Sequence, residues 1–227
     1  MALIISLETS TSVSSVALYR DSNLLYSNAI LKENSHSGSL VKMVKNAVEL
    51  ANHNLKDLNG VAISKGPGSF TGLRIGTSVA KGICFALDIP LIAVNTLESM
   101  AWEINHYNLG NMLLCPMIDA RRMEVYFMIF NHHLNIIQDA AAKVINENSF
   151  KDLLENYELI FFGNGAEKTK KWLSQNVNAH FIDNIYPQAA NVGVLAYQKY
   201  KAFDFEDLVY FEPFYLKDFI GTKSLKV

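Results

Sequence analysis

Within Asp119-Ala120-Arg121-Arg122-Met123-Glu124 stand two carboxylates and two guanidiniums, the densest charge cluster in the chain. Paired arginines can clamp a phosphate while a neighbouring carboxylate serves as general base. The same residue types can instead form cross-strand ion pairs. A second candidate is Ser64-Lys65-Gly66-Pro67-Gly68-Ser69-Phe70-Thr71-Gly72, which follows the apolar run Val61-Ala62-Ile63 and leads into a helical pattern. Free N–H groups and the dipole at a helix start favour an anion there. The known phosphate signatures do not fit. No Lys-Ser/Thr pair follows the glycines, and Thr71 stands where a G-x-G-x-x-G fingerprint has its third glycine. Gly68-Ser69-Phe70-Thr71-Gly72 is not a G-x-S-x-G elbow either. Pro67 fixes one backbone angle while Gly66, Gly68 and Gly72 free others, so the loop has a specific shape, with Ser69 or Thr71 as helix cap. A loop that packs a helix closely, or presents it to a partner, is the favoured reading over nucleotide binding.

Metal chemistry finds no pattern among His36, His53, His106, His132, His133 and His180, which form neither H-x-x-x-H nor H-E-x-x-H. His36 reads as a structural residue near a helix start, and His132-His133 as part of a hairpin turn. Cys84 and Cys115 read as buried thiols, in keeping with a reducing compartment. Lys168, Lys170 and Lys171 read as a solvated helix face. With a net charge of −2 and a pI near 6.3, the chain has no global attraction to nucleic acid, so any RNA contact must be local or supplied by a partner. The start Met1-Ala2-Leu3-Ile4-Ile5 lacks a basic signal region, and no run approaches the roughly 18 apolar residues of a membrane span. A cytoplasmic protein is expected.

These residues need elements to hold them. Strands are predicted over Leu3 to Leu7, Ser14 to Tyr19, Leu24 to Ile30, Val61 to Ser64 and Leu91 to Val94, with helices over Ser39 to Asn52 and Leu73 to Leu87. A helix over Glu98 to His106 follows. Then the grammar repeats: strands at Met112 to Ile118, Glu124 to Phe130, Asn135 to Ala142, Leu159 to Phe162 and Phe181-Ile182, with helices at Ser149 to Asn156, Ala166 to Gln175 and Gln188 to Lys201. A carboxylate follows the first strand of each half, Glu8 and Asp119. Two βββαβαβ halves resemble the actin, hexokinase and Hsp70 superfamily: an α/β protein of two ribonuclease H-like lobes, here 1–103 and 104–227. The second lobe is read as reduced, and the final helix is a candidate to return to the first lobe. Members that turn over ATP carry glycines in both phosphate loops. Glu8-Thr9-Ser10-Thr11-Ser12 and Asp119-Ala120-Arg121-Arg122 contain none, so an autonomous ATPase is not expected. For the charged cluster, the missing glycines favour structure or lobe-to-lobe contact.

Both helices of the first half carry surplus apolar surface. On the first, Leu40, Met43, Val44, Ala47, Val48 and Ala51 align, and Val41 and Leu50 widen the apolar face to about 180°, whereas covering a sheet takes a stripe of about 100°. On the second, Gly76, Ala80 and Cys84 form a small-residue row that would admit another helix. Ile75, Val79 and Gly82 lie on the side away from Leu73, Ala80 and Cys84, so both sides cannot face one sheet. The expected partner surface is Val41, Val44, Val48, Ile75, Gly76, Val79, Ala80, Gly82 and Ile83. Glu8, Thr9, Gly66, Gly68, Ser69, Thr71, Asp119 and Arg121 are the candidates for a weak nucleotide site or an interface loop.

Gly66-Pro67-Gly68-Ser69-Phe70-Thr71-Gly72-Leu73-Arg74-Ile75-Gly76 resembles the signature of the bacterial TsaB (YeaZ) family. Ala93-Val94-Asn95-Thr96-Leu97-Glu98 and Asp119-Ala120-Arg121-Arg122-Met123-Glu124-Val125-Tyr126 are similar to its other recurrent segments. Glu8, where the family more often has Asp, and Lys217, where Arg is usual, depart from the pattern. The resemblance implies a non-catalytic subunit of the machinery that makes N6-threonylcarbamoyladenosine next to the tRNA anticodon. It implies that TsaC makes threonylcarbamoyl-adenylate, that TsaD transfers the group, and that this chain holds TsaD in its working state and helps recruit the ATPase TsaE. It implies tRNA contact through the complex, a homodimer when TsaD is missing, and no intrinsic cofactor, ATP or ADP being bound by the partner subunits. TsaD holds a metal through H-x-x-x-H in the segment matching Val94 onward; here those positions are Thr96 and Met100. The alternatives from other classes are a weak ATP-binding or kinase-like protein of the superfamily and a metallopeptidase.

Overall fold

Leu3–Glu8 (β1) and Val13–Arg20 (β2) are buried almost throughout, as strands covered on both faces are. The computed structural model describes residues 1–31 and 36–217, and of residues 36–38 the backbone alone. β1, β2, Asn23–Leu31 (β3), Gly60–Ser64 (β4) and Leu91–Val94 (β5) make a five-stranded sheet in the order β3-β2-β1-β4-β5. β1 pairs antiparallel with β2 and parallel with β4. Leu113–Asp119 (β6), Glu124–Phe130 (β7), Ile136–Val144 (β8), Leu159–Phe162 (β9) and Ala179–Ile182 (β10) repeat the same order in a second sheet, β10-β9-β6-β7-β8.

The helices do not follow the chain's midpoint. His36–Leu50 (α1) and Phe70–Leu87 (α2) cover one face of the first sheet. Thr96–Asn105 (α3) leaves β5 and crosses to the second sheet, where Leu97, Met100, Ala101 and Ile104 pack with Leu114, Ile118, Met128, Phe130 and Phe162. In the second half Lys151–Leu154 (α4) and Lys170–Leu173 (α5) are single turns. The helices predicted over Ser149 to Asn156 and Ala166 to Gln175 are therefore shorter than expected. In the second case Thr169 Oγ1 bonds back to the Ala166 carbonyl at 2.6 Å and tightens the start into a 3₁₀ turn.

Ala189–Lys201 (α6) returns to the first lobe, with Val192 and Ala196 packing on Ala2, Ile4, Ala62, Ile92 and Val94. A Cβ at Gly193 would stand 2.5 Å from the Tyr19 ring, so only glycine permits this approach. Ser6 Oγ donates to the Ala189 carbonyl at 2.7 Å, and the Ala189 N–H donates to Ser15 Oγ at 2.8 Å. The division at residue 103 is thus corrected for α3, which packs in the second lobe's core, while α6, the final helix and the candidate to return, packs on the first lobe. Asn191 Nδ2 donates to Glu103 Oε2 at 2.6 Å where the exchanged helices touch.

Beyond α6 the chain runs as a strap along the first lobe. The Glu206 N–H bonds the Leu91 carbonyl at 2.9 Å, and the Phe214 N–H bonds the Lys65 carbonyl at 2.7 Å. Phe211 is buried in the first core, and Lys81 Nζ holds the Val209 and Phe211 carbonyls at 3.1 and 3.2 Å.

Candidate functional site

The glycine loop is a packing device. Ser69 caps α2, its Oγ accepting from the Gly72 N–H at 3.3 Å, while its own N–H donates to the Ser10 carbonyl at 2.6 Å. A Cβ at Gly68 would lie 2.4 Å from the Ser10 carbonyl oxygen, one at Gly72 2.0 Å from that of Thr9, and one at Gly76 2.3 Å from Thr9 Oγ1. The spacing i, i+4, i+8 therefore seats the start of α2 directly on the turn between β1 and β2. Gly66, at φ 107°, meets the strap in the same way, with a Cβ there 2.8 Å from the Phe214 carbonyl oxygen. Glu8 and Thr9, candidates for a nucleotide loop, are wholly buried beneath this loop and present nothing to a phosphate. Ser69 and Thr71 stay exposed at its rim.

Glu8 ends β1 with one oxygen, Oε1, accepting from the Ser10 N–H at 2.5 Å and the other, Oε2, without a partner. Burial pushes its carboxyl above the usual range, against the opposing pull of hydrogen bonds from Ser10 and Ser64. Ser64 Oγ also bonds Thr96 Oγ1 at 2.5 Å, and Met100 is buried in the second core, so neither Thr96 nor Met100 is presented to a ligand. Among the described residues no three His, Cys, Asp or Glu side chains gather as a metal set, and no helix is long and apolar enough to cross a membrane.

The charged cluster forms the hairpin between β6 and β7, with partners the sequence did not suggest. Lys168 pairs with Asp119 and also donates to the Arg122 and Glu124 carbonyls at 3.0 and 2.6 Å. Lys217, on the strap, pairs with Glu124. Asp119, Arg121, Arg122 and Glu124 form no ion pair with one another, so the cross-strand alternative is not what forms. The Lys217–Glu124 pair instead ties the strap to the second sheet, in keeping with structure or lobe-to-lobe contact, and both arginines are exposed on left-handed backbone at φ 70° and 50°. Lys168 is not the solvated residue it was read as.

The expected partner surface divides in two. Val44, Val48, Gly76 and Ala80 are buried in the lobe's own core, a correction: Gly76 closes on Thr9 and Ile63, and Ala80 and Cys84 join the core that α1 and the sheet fill. Val41 is 56% exposed, Ile75, Val79 and Ile83 are half-buried, and a Cβ at Gly82 would meet nothing within 4 Å. Phe85 was missed, yet it is 83% exposed on the same helix. Its signal was an aromatic ring in the polar arc of Arg74, Ser78 and Lys81. His36 has its side chain outside the described residues; the His132 and His133 rings lie 3.8 Å apart, tilted at 48° to each other, at the turn after β7. Cys84 and Cys115 are both free and buried.

Twin five-stranded sheets of one order, bridged by exchanged helices, define a two-lobed ribonuclease H-like protein of the actin and hexokinase type. A family model described as "TsaD: tRNA N6-adenosine threonylcarbamoyltransferase" matches residues 30–219. The TsaB protein of Buchnera aphidicola subsp. Baizongia pistaciae is 31% identical over 190 residues, covering 80% of this chain and 82% of the relative. The TsaB protein of Bacillus subtilis is 30% identical over 138 residues, 61% of this chain, and the match spans only 59% of that relative's length. A solved Pseudomonas aeruginosa protein described as similar to peptidase YEAZ superposes with a TM-score of 0.83 at 25% identity, covering 96% of this chain and all of the other. The chain belongs to the TsaB (YeaZ) family, whose curated relatives carry the name tRNA threonylcarbamoyladenosine biosynthesis protein.

Proposed function

We propose that this chain is a non-catalytic subunit that holds the threonylcarbamoyl-transferring subunit, TsaD, in its working state during tRNA modification in the cytoplasm, and helps recruit TsaE. The observation that carries the reading is the outer face of the α1–α2 pair. Val41, Val79, Ile83 and Phe85 leave apolar surface beyond what the first sheet covers, and Gly82 leaves open space at mid-helix. A helix of the partner can approach closely there. In the absence of TsaD a second copy of the chain takes the same face, so the two assemblies compete. Nucleotide, metal and transfer chemistry belong to the partner subunits in this reading. The buried Glu8 and Thr9, and Thr96 and Met100 at the relative's metal positions, support it.

The test is co-purification with TsaD, followed by a modification assay with each subunit omitted in turn. Val79→Glu places a carboxylate where the bundle would desolvate it, and should weaken pairing by at least about 30-fold, the effect of losing some 2 kcal/mol. Circular dichroism should show the variant folded. Ala80→Glu, on the buried side, should damage folding itself. A folded Val79→Glu protein that still binds TsaD normally places the docking surface elsewhere.

A further inference from the structure

Among the described residues nothing neutralises the two cations at the tip of the β6–β7 hairpin. Asp119 is taken by Lys168 and Glu124 by Lys217, and among the described residues neither the Arg121 nor the Arg122 guanidinium makes a hydrogen bond or an ion pair. Both residues are exposed, and both hold left-handed backbone, which costs a side-chain-bearing residue free energy. The tip is nonetheless firmly mounted. The Arg121 N–H donates to Asp119 Oδ1 at 2.7 Å, the Ala120 N–H to the Glu124 carbonyl at 3.0 Å, and Lys168 Nζ to the Arg122 carbonyl at 3.0 Å. A chain of net charge −2 thus presents a fixed local excess of positive charge.

We propose that Arg121 and Arg122 contact the phosphodiester backbone of RNA, specifically the tRNA of the reading above, on which this inference rests. The planar guanidinium fork matches phosphate geometry, and two adjacent forks on a rigid mount suit a repeating anion. An acidic protein would satisfy the same charge, but a protein interface needs an apolar centre, and residues 119–126 include no exposed large apolar side chain. Contact of this kind positions the nucleic acid without reading its sequence.

A labelled, unmodified tRNA transcript titrated against the chain alone, and against its co-purified assembly with TsaD, over a series of salt concentrations decides the matter. The Arg121→Ala/Arg122→Ala variant should bind roughly tenfold more weakly at low salt, with the slope of log K against log salt reduced by about 1 per arginine removed. Arg121→Lys/Arg122→Lys, which keeps the charge, should recover most of that slope. Thermal melts check that each variant is folded. An absence of tRNA binding, an unchanged slope in both preparations, or equal competition by polyglutamate overturns the proposal. Failure of the wild-type chain to co-purify with TsaD would overturn the scaffold reading instead, and the titration of the chain alone would still judge the arginines.

Discussion

Glu8 sits at the end of β1 with no exposure to solvent and one carboxylate oxygen unpaired. Because burial raises its folded pKa above the unfolded value, the folded state holds the extra proton between those two values. The stabilising contribution is therefore complete below the ordinary carboxylate range and is lost as pH rises through the raised pKa. Glu8→Gln keeps the shape without the charge. It should flatten that decline and be more stable than the wild type at neutral pH, as read by chemical denaturation across a pH series. A wild-type stability that climbs with pH through that interval would contradict this account. The sequence located Glu8 after the first strand and gave the glycine loop a definite shape. It could not say that the loop lies on Thr9 and Ser10, because a contact between segments so far apart along the chain leaves no trace in local spacing. The same limit hid Lys168 and Lys217 as the partners of Asp119 and Glu124.

Periodicity served better for whole elements. The spacing of α2 separated Leu73, Ala80 and Cys84, which the structure buries, from Ile75, Val79 and Gly82, which it leaves half-covered or open. It failed for Val44 and Val48, since the width of an apolar arc does not reveal how much of it the sheet and a neighbouring helix will take. The short helices α4 and α5 were overextended for a related reason: polar residues of good helical propensity were counted without the packing that ends them. Gly82 offers a test of α2. Alanine there meets open space, so Gly82→Ala should stabilise the chain alone by up to about 1 kcal/mol. The added methyl should at the same time weaken association with TsaD or with a second copy, because a helix docked closely at Gly82 has no room for it. Thermal denaturation and light scattering read the two effects separately, and a variant that associates as tightly as the wild type would remove close helix approach from the docking account.

In the molecule as a whole, the repeated βββαβαβ order was legible because each strand and most helices carry their own patterning. The exchange of α3 and α6 between lobes was only half legible: the return of the last helix was entertained, but α3 was assigned to the wrong lobe, since an apolar stripe does not name the sheet it will cover. A chain ending at residue 188 would lose α6 and the strap, stripping cover from Ile4, Ala62, Ile92 and Val94. Its first lobe should show no cooperative unfolding transition by circular dichroism or calorimetry; a sharp wild-type-like melt would show that α6 is dispensable. The exchange also sets a timetable. Synthesis runs from the N-terminus and domains fold as they emerge, so the second sheet finds its covering helix α3 already made. The first sheet, though completed far earlier, must wait with one apolar face bare until α6 has left the ribosome.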